Sequence, residues 1–309
     1  MVVCNRLNDI PTISQSALTI GSFDGIHVGH LEILKKIKKI SSLNKSKSVV
    51  ITFDPHPKTV LRPDLLNERY LITTLEKKIE IFHIHGIDCV LILQFDNDLA
   101  MIEADIFLKD IIIHYFKPHD MVVGYDHHFG HNRIGDINLL NTHSEKYAYK
   151  THKIEQVTIN EKIVCSTEIR KALASENIML ANQFLGWYYE LKGIVEKGDG
   201  LGGKIGFPTA NIKPIVNCQI IPSNGVYNVD VMIDDELFSG MCNVGKRPTI
   251  NGTDNRIEVN VFTHKNLNLY SKIITIIFKG YLRNEKKFSS IDELKAQLRK
   301  DKKRCLEIK

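Results

Sequence analysis

No apolar run in the chain approaches the length of a membrane span, and the opening residues Met1 to Pro11 carry Arg6 and Asp9 where a secretion signal would have an apolar core. The reading is therefore a cytoplasmic protein with no membrane partner. An excess of one charge is also missing: 41 Lys and Arg face 36 Asp and Glu, a net of +5 with the signs interspersed. Nucleic acid is accordingly not expected as a partner. The one dense basic run, Arg299 to Arg304, falls near the end of a predicted helix, where cations complement the helix dipole. The six cysteines are scattered, with no C-x-x-C pair, so reduced buried thiols are expected instead of disulfides. At 309 residues the chain is long for one core, and two domains are expected.

What is present begins at Gly21-Ser22-Phe23-Asp24-Gly25-Ile26-His27-Val28-Gly29-His30. A short apolar strand, Ala17 to Ile20, precedes it, and an amphipathic helix with Leu31, Leu34 and Ile37 on one side follows. Gly21 and Gly25 permit a sharp turn, and the loop delivers the chain into a helix N-terminus, where unpaired N–H groups and the dipole favour an anion. His27 and His30, three apart, point the same way on the first turn and suit phosphate oxygens. A plain glycine turn with two solvent-facing histidines, or a zinc pair lacking a third ligand, are the competing readings. No Gly-Lys-Ser/Thr closes the loop, so it is not a Walker A sequence.

Strands and helices then alternate. Val49 to Phe53, Cys89 to Leu93 and Met121 to Gly124 read as strands; the segment after the Thr73-x-x-Glu76 capping box and Ile106 to Tyr115 read as helices. This order predicts a parallel sheet whose ligands gather at the carboxyl ends of the strands. Asp54 to Pro57 and Tyr125 to Gly130 thereby become site candidates, with Asp126 shaping a pocket wall. The neighbouring His127, His128 and His131 point to different faces of an extended chain and make a poor metal cluster. Further on, Ser166 and Thr167 suit a helix start that meets a phosphate, with Arg170 one turn in, or else form an ordinary cap.

From about Gly186 short strand-like runs replace helices, with Asp234-Asp235 as a hairpin turn, which predicts a β-barrel. Ser290-x-x-Glu293 caps one closing helix with Ile291, Leu294 and Leu298 inward. The Gly198-x-Gly200-x-x-Gly203 spacing fails as a dinucleotide fingerprint because Gly206-Phe207-Pro208 follows almost at once. It remains either a surface loop or a glycine flap over phosphates, carrying Gly198, Gly200, Gly202 and Lys204. Thr209 and Asn211 alternate to one side of an extended chain, so that both oxygens suit one hard cation.

Gly-x-Phe-Asp-Gly-x-His-x-Gly-His resembles the nucleotide-binding signature of the nucleotidylyltransferase superfamily, and Ser166-Thr167-x-Ile169-Arg170 resembles its partner motif. Pro208-Thr209-Ala210-Asn211 resembles the magnesium–nucleotide motif of riboflavin kinases. Gly225-Val226-Tyr227, Asn243-Val244-Gly245, Ile257-Glu258-Val259 and Leu282-Arg283-x-Glu285-x-x-Phe288 follow in that family's order. Nearly the whole chain thus resembles the bacterial bifunctional riboflavin kinase and FMN adenylyltransferase family.

The resemblance implies an N-terminal Rossmann-like nucleotidylyltransferase domain over residues 1–184 and a C-terminal Greek-key β-barrel of riboflavin kinase type over 185–309, with a closing helix. It implies phosphorylation of riboflavin to FMN and adenylylation of FMN to FAD, with ATP as co-substrate and Mg²⁺ as cofactor. Glu258, His27 and His30 are then catalytic. Gly21, Phe23, Asp24, Gly29, Ser166, Thr167, Arg170, Gly198, Gly200, Gly202 and Lys204 bind nucleotide. Asp126 and Arg283 bind flavin, and Thr209 and Asn211 hold the metal. His127, Cys165 and Asn260 depart from the family pattern. The alternative is a nucleotidylyltransferase for another phosphate-bearing acceptor, with the barrel as a recognition module.

Overall fold

A computed structural model describes residues 1–198, 201–249, 252–263 and 268–307, and gives the backbone alone at 66, 67, 201, 204, 246–249 and 252–255. The chain divides into two compact units, Met1–Ser166 and Thr167–Lys309.

The first unit is built on six parallel strands: β1 (Val2–Cys4), β2 (Ser16–Ile20), β3 (Lys47–Asp54), β4 (Cys89–Gln94), β5 (Pro118–Gly124) and β6 (Lys150–Ile154), in the order β1-β4-β3-β2-β5-β6. Every residue of β2 is buried, as a central parallel strand covered on both faces requires. From β2 the chain builds outward through β3 and β4 to one side, then crosses to β5 and β6 on the other. The order therefore reverses at β2 and β5, and it is beyond the carboxyl ends at such a switch point that doubly wound sheets bind ligands. The loop after β2 is Gly21 to His27, and the loop after β5 begins at Tyr125. A small hairpin, β7 (Thr158–Ile159) with β8 (Lys162–Ile163), turns on Asn160 and Glu161, both at positive φ.

The helix after the loop runs from Val28 to Leu43 with His27 as its cap, so His27 and His30 share its first turn as expected. Other local expectations need correction. Thr74, not Thr73, caps the Leu75–Ile84 helix, accepting from Lys77 N at 3.3 Å, while the Thr73 hydroxyl is buried without a partner. The helix expected over 106–115 winds as a π-helix from Phe107 to Ile113 between single α-turns. Strands β1 and β6 lacked a sequence signal, being short or polar.

The second unit is a closed barrel of β9 (Glu190–Glu196), β10 (Ala210–Pro214), β11 (Gly225–Ile233), β12 (Glu236–Thr249), β13 (Gly252–Val261) and β14 (Ile273–Arg283), ordered β10-β13-β12-β11-β14-β9. The fourth strand of the β11-β12-β13-β14 set returns beside the first, which is a Greek key. Asp234 and Asp235 both take positive φ, as a two-residue hairpin turn needs. The Ile178–Leu185 helix is stitched to the barrel by Asn182, which donates to Phe278 O and accepts from Tyr189 N, each at 2.8 Å. The closing helix, Ile291–Glu307, is capped by Ser290. Its inward residues are Leu298, Asp301 and Cys305; Ile291, expected inside, is 62% exposed. The reason is position: Ile291 opens the first turn, before the helix reaches the barrel wall.

Candidate active sites

In the first unit the loop after β2 is held by polar and aromatic anchors, and glycine supplies only part of its shape. Gly25 takes φ +92°, but Phe23 and Ile26, both buried, also take positive φ, a costly conformation for bulky side chains that the surroundings must enforce. The Asp24 carboxylate, 2% exposed, accepts from Ile72 N at 3.0 Å and Thr73 N at 3.1 Å. The Asp24 carbonyl accepts from Ser166 Oγ at 2.7 Å. Asp24 and Ser166 thus meet, one shaping the loop and the other fastening it. Gly21 lies against Phe23, whose ring a Cβ would meet at 3.3 Å, and at Gly29 a Cβ would meet the His27 ring at 3.2 Å.

His27 is the N-cap of the Val28–Leu43 helix, its Nδ1 accepting from His30 N at 3.4 Å. The two imidazoles stack with centroids 3.8 Å apart, so the expected convergence is found. Burial pushes His27 down to about 4, against a partial opposing pull from Asp24. Burial, helped by His27 and Lys78, holds His30 well below its ordinary value. Both are therefore neutral near pH 7, each with one N–H to donate. With Nδ1 of His27 accepting, its proton sits on Nε2.

The loop after β5 places Asp126 on the surface, while His127 stacks on Phe129 at 5.7 Å and is driven down to about 4 by burial, with His128 and Arg133 adding. His128 and His131 turn instead to the carbonyls of Arg133 and Ala100. Among the described residues no group of three or more His, Cys, Asp or Glu is placed to hold a metal ion.

In the barrel unit, Thr167 and Arg170 lie in the first turns of the Ser166–Ala174 helix. The glycine segment closes on the following strand: a Cβ at Gly198 would stand 1.8 Å from Asn211 Nδ2, and one at Gly202 would stand 3.0 Å from Thr209 Oγ1. Gly200 and the side chain of Lys204 lie outside the described residues. Asn211 on β10 pairs directly with Glu258 on β13, and Glu258 pairs across its other edge with Asn243 on β12. Glu258 alternates with the buried Ile257 and Val259, so its carboxylate leaves the apolar interior and faces the same side as Asn211. Arg256 Nη2 holds Glu258 Oε1 at 2.6 Å. A hydroxyl and a side-chain amide thus stand beside glycines that leave them room. Such neutral hard oxygens suit a divalent cation whose remaining ligands are phosphates and water.

Arg283 reaches no open surface. Its Nε and Nη2 grip the Asp301 carboxylate at 2.7–3.1 Å, Nη1 donates to Asn284 O at 2.9 Å, and Gln297 adds a bond to Asp301. Beside it, Glu285 Oε1 accepts from Asn243 Nδ2 at 3.2 Å and fills the space over Gly245. Asn260 donates to Pro208 O at 2.6 Å and so fixes the turn that presents Thr209.

A family model described as FAD synthetase matches residues 9–168, and one described as riboflavin kinase matches residues 185–309. The bifunctional riboflavin kinase/FMN adenylyltransferase of Escherichia coli strain K12 is 34% identical over 285 residues, covering 92% of this chain and 90% of that protein. The protein of the same description in Bacillus subtilis strain 168 is 34% identical over 296 residues, 95% and 92% of the two chains. The chain belongs to the bifunctional riboflavin kinase/FMN adenylyltransferase family. A crystal structure described as a macrolide-efflux protein of Streptococcus pneumoniae superposes with a TM-score of 0.88 at 28% identity, covering 98% of this chain and 97% of that one. No helix among the described residues is long and apolar enough to cross a membrane.

Family membership makes the chain a transferase with kinase and adenylyltransferase activities, using ATP, riboflavin, FMN and FAD, and families of this kind require a divalent metal. The motif residues, Asn243 among them, were legible as a family pattern, but Lys78, Arg256 and Asp301 carried no site expectation. The buried face of the Leu75–Ile84 helix proves to be Lys78, Ile81 and Phe82, and a lysine on that face is not signalled by its charge. Arg256 pairs with Glu258 two residues on along the same strand, whereas the Asp301 partner Arg283 lies eighteen residues back and has no local signature.

Proposed function

We propose that each transfer is carried out by the residues gathered above, in the cytoplasm, with a functional boundary at 184/185 that is supported by the start of the riboflavin kinase match. In the barrel, the riboflavin 5′-hydroxyl attacks the γ-phosphorus of ATP; the new O–P bond forms as the bond to the ADP oxygen breaks. Glu258 takes the hydroxyl proton. Thr209 and Asn211 would hold Mg²⁺, which would supply charge neutralisation at the phosphates. The flap residues Gly198, Gly200, Gly202 and Lys204 cover the phosphates. Arg283, held by Asp301, serves the flavin end by fixing the Asn284 carbonyl.

In the first domain a phosphate oxygen of FMN attacks the α-phosphorus of a second ATP and pyrophosphate leaves. Neutral His27 and His30 donate to phosphate oxygens, the helix N-terminus faces the developing charge, and Gly21, Phe23, Asp24 and Gly29 shape the loop. Ser166, Thr167 and Arg170 add phosphate donors, and Asp126 contributes to the flavin wall. The observation that supports this reading is the pairing of Glu258 with Asn211 on adjacent strands, as a base beside a cation ligand would need. Riboflavin, ATP and Mg²⁺ incubated with the chain should give FMN first and FAD second, on chromatography. Adenylylation of supplied FMN without any phosphorylation of riboflavin would refute the barrel assignment.

A further inference from the structure

The Leu75–Ile84 helix cradles the phosphate loop at three points. The chain entering it holds Asp24 through Ile72 and Thr73 N–H. Phe82 packs edge-on against Phe23 at 5.5 Å, and Phe23 in turn packs against His30 at 5.1 Å. One turn before Phe82, on the same face, Lys78 sends its ammonium to Ser22 O at 2.8 Å.

Lys78 is 3% exposed, and a buried ammonium normally has a carboxylate. Here Ser22 O is its hydrogen-bond acceptor, and among the described residues no carboxylate lies within ion-pair reach of Nζ. Asp24 is occupied by the two backbone donors; burial pulls the amine below its ordinary value, and Asp24 and Asp54 oppose this at longer range. An ammonium carries three donors, so two remain for a ligand. The loop's imidazoles are neutral, which leaves the loop in need of a positive charge for a polyphosphate. His30 Nδ1, buried and without a partner, lies in the same cluster.

We propose that Lys78 is a phosphate-binding residue of the adenylyl-transfer site, its ammonium fixing the Ser22 carbonyl while its remaining N–H groups meet the polyphosphate of ATP and of the pyrophosphate product. This rests on the first domain being the adenylyltransferase. The ammonium supplies the charge, and the imidazoles supply directed neutral donors.

The test compares Lys78→Met and Lys78→Arg in the full chain. Lys78→Met should raise the ATP KM of FAD formation and the inhibition constant of inorganic pyrophosphate by about tenfold to a hundredfold, the size of one charge-assisted hydrogen bond. Riboflavin phosphorylation should keep its normal kcat and KM. Lys78→Arg, which keeps the charge, should restore ATP KM to within a few-fold. A folded Lys78→Met with normal ATP KM and normal pyrophosphate inhibition overturns the assignment. So does a folded Lys78→Arg with ATP KM raised as far as is expected for loss of the charge, and this second variant decides the matter if the first does not fold. If the unsubstituted chain makes no FAD, the functional reading fails instead. Calorimetry with pyrophosphate then still judges Lys78, since its binding should be present in the unsubstituted chain and lost in Lys78→Met.

Discussion

Asp301 is the most exacting place to perturb the barrel. Its carboxylate is 0% exposed on the closing helix and takes Arg283 Nε and Nη2 together with Gln297 Nε2; the Arg283 side chain is itself only 12% exposed. Asp301→Ala removes the acceptor and leaves a buried guanidinium with Asn284 O as its remaining bond. Breaking a buried pair from one side costs about 3–5 kcal/mol, because the surviving charge stays desolvated. The single tryptophan is Trp187, in the barrel unit, so its fluorescence in urea reads that unit alone. The midpoint should fall with an unchanged slope. The double replacement Arg283→Met with Asp301→Leu should recover most of the loss, since an apolar pair carries no stranded charge. Because Arg283 also fixes Asn284 beside Glu285, riboflavin phosphorylation should fall in Asp301→Ala while FMN adenylylation is kept. A stability loss below about 1 kcal/mol would refute the reasoning, as it would put the pair in the class of solvated surface bridges.

Gly198→Ala places a methyl group 1.8 Å from Asn211 Nδ2 and must turn that amide away; kinase activity should drop and the Mg²⁺ requirement rise, with the melting temperature little changed. Normal activity at low Mg²⁺ would count against Asn211 as a ligand. His27 titrates near 6.5 when unfolded and at about 4 when folded, so the unfolded state binds more protons between these values. The first unit should therefore lose stability as pH falls from about 6.5 toward 4, read as loss of amide-exchange protection in residues 1–166, and His27→Asn should flatten the slope. A profile as steep in the variant as in the parent would exclude His27 as its source.

The alternation of strands and helices, the barrel and the order of its motifs were all legible in the sequence, because period and turn chemistry are local. Gly198 to Asn211 and Glu258 were visible as motif members. Their direct contact was not, since register between β10 and β13 is set by barrel closure. Arg283 shows the limit most plainly. A motif arginine suggests a ligand, but its partner Asp301 sits eighteen residues on in a polar helix, and only folding reveals that the guanidinium is already taken. Lys78 shows the converse, a charge that looks solvated in sequence and is buried against the phosphate loop.

The central claim, two transfers at two separate sets of residues, is tested most directly by one crossed assay. Glu258→Gln and His30→Ala are each given riboflavin, ATP and Mg²⁺, then FMN, ATP and Mg²⁺, and the flavins are separated by chromatography. Glu258→Gln should make FAD from FMN but no FMN from riboflavin, and His30→Ala should convert riboflavin to FMN and stall there. Equal loss of both steps in either folded variant would contradict the account.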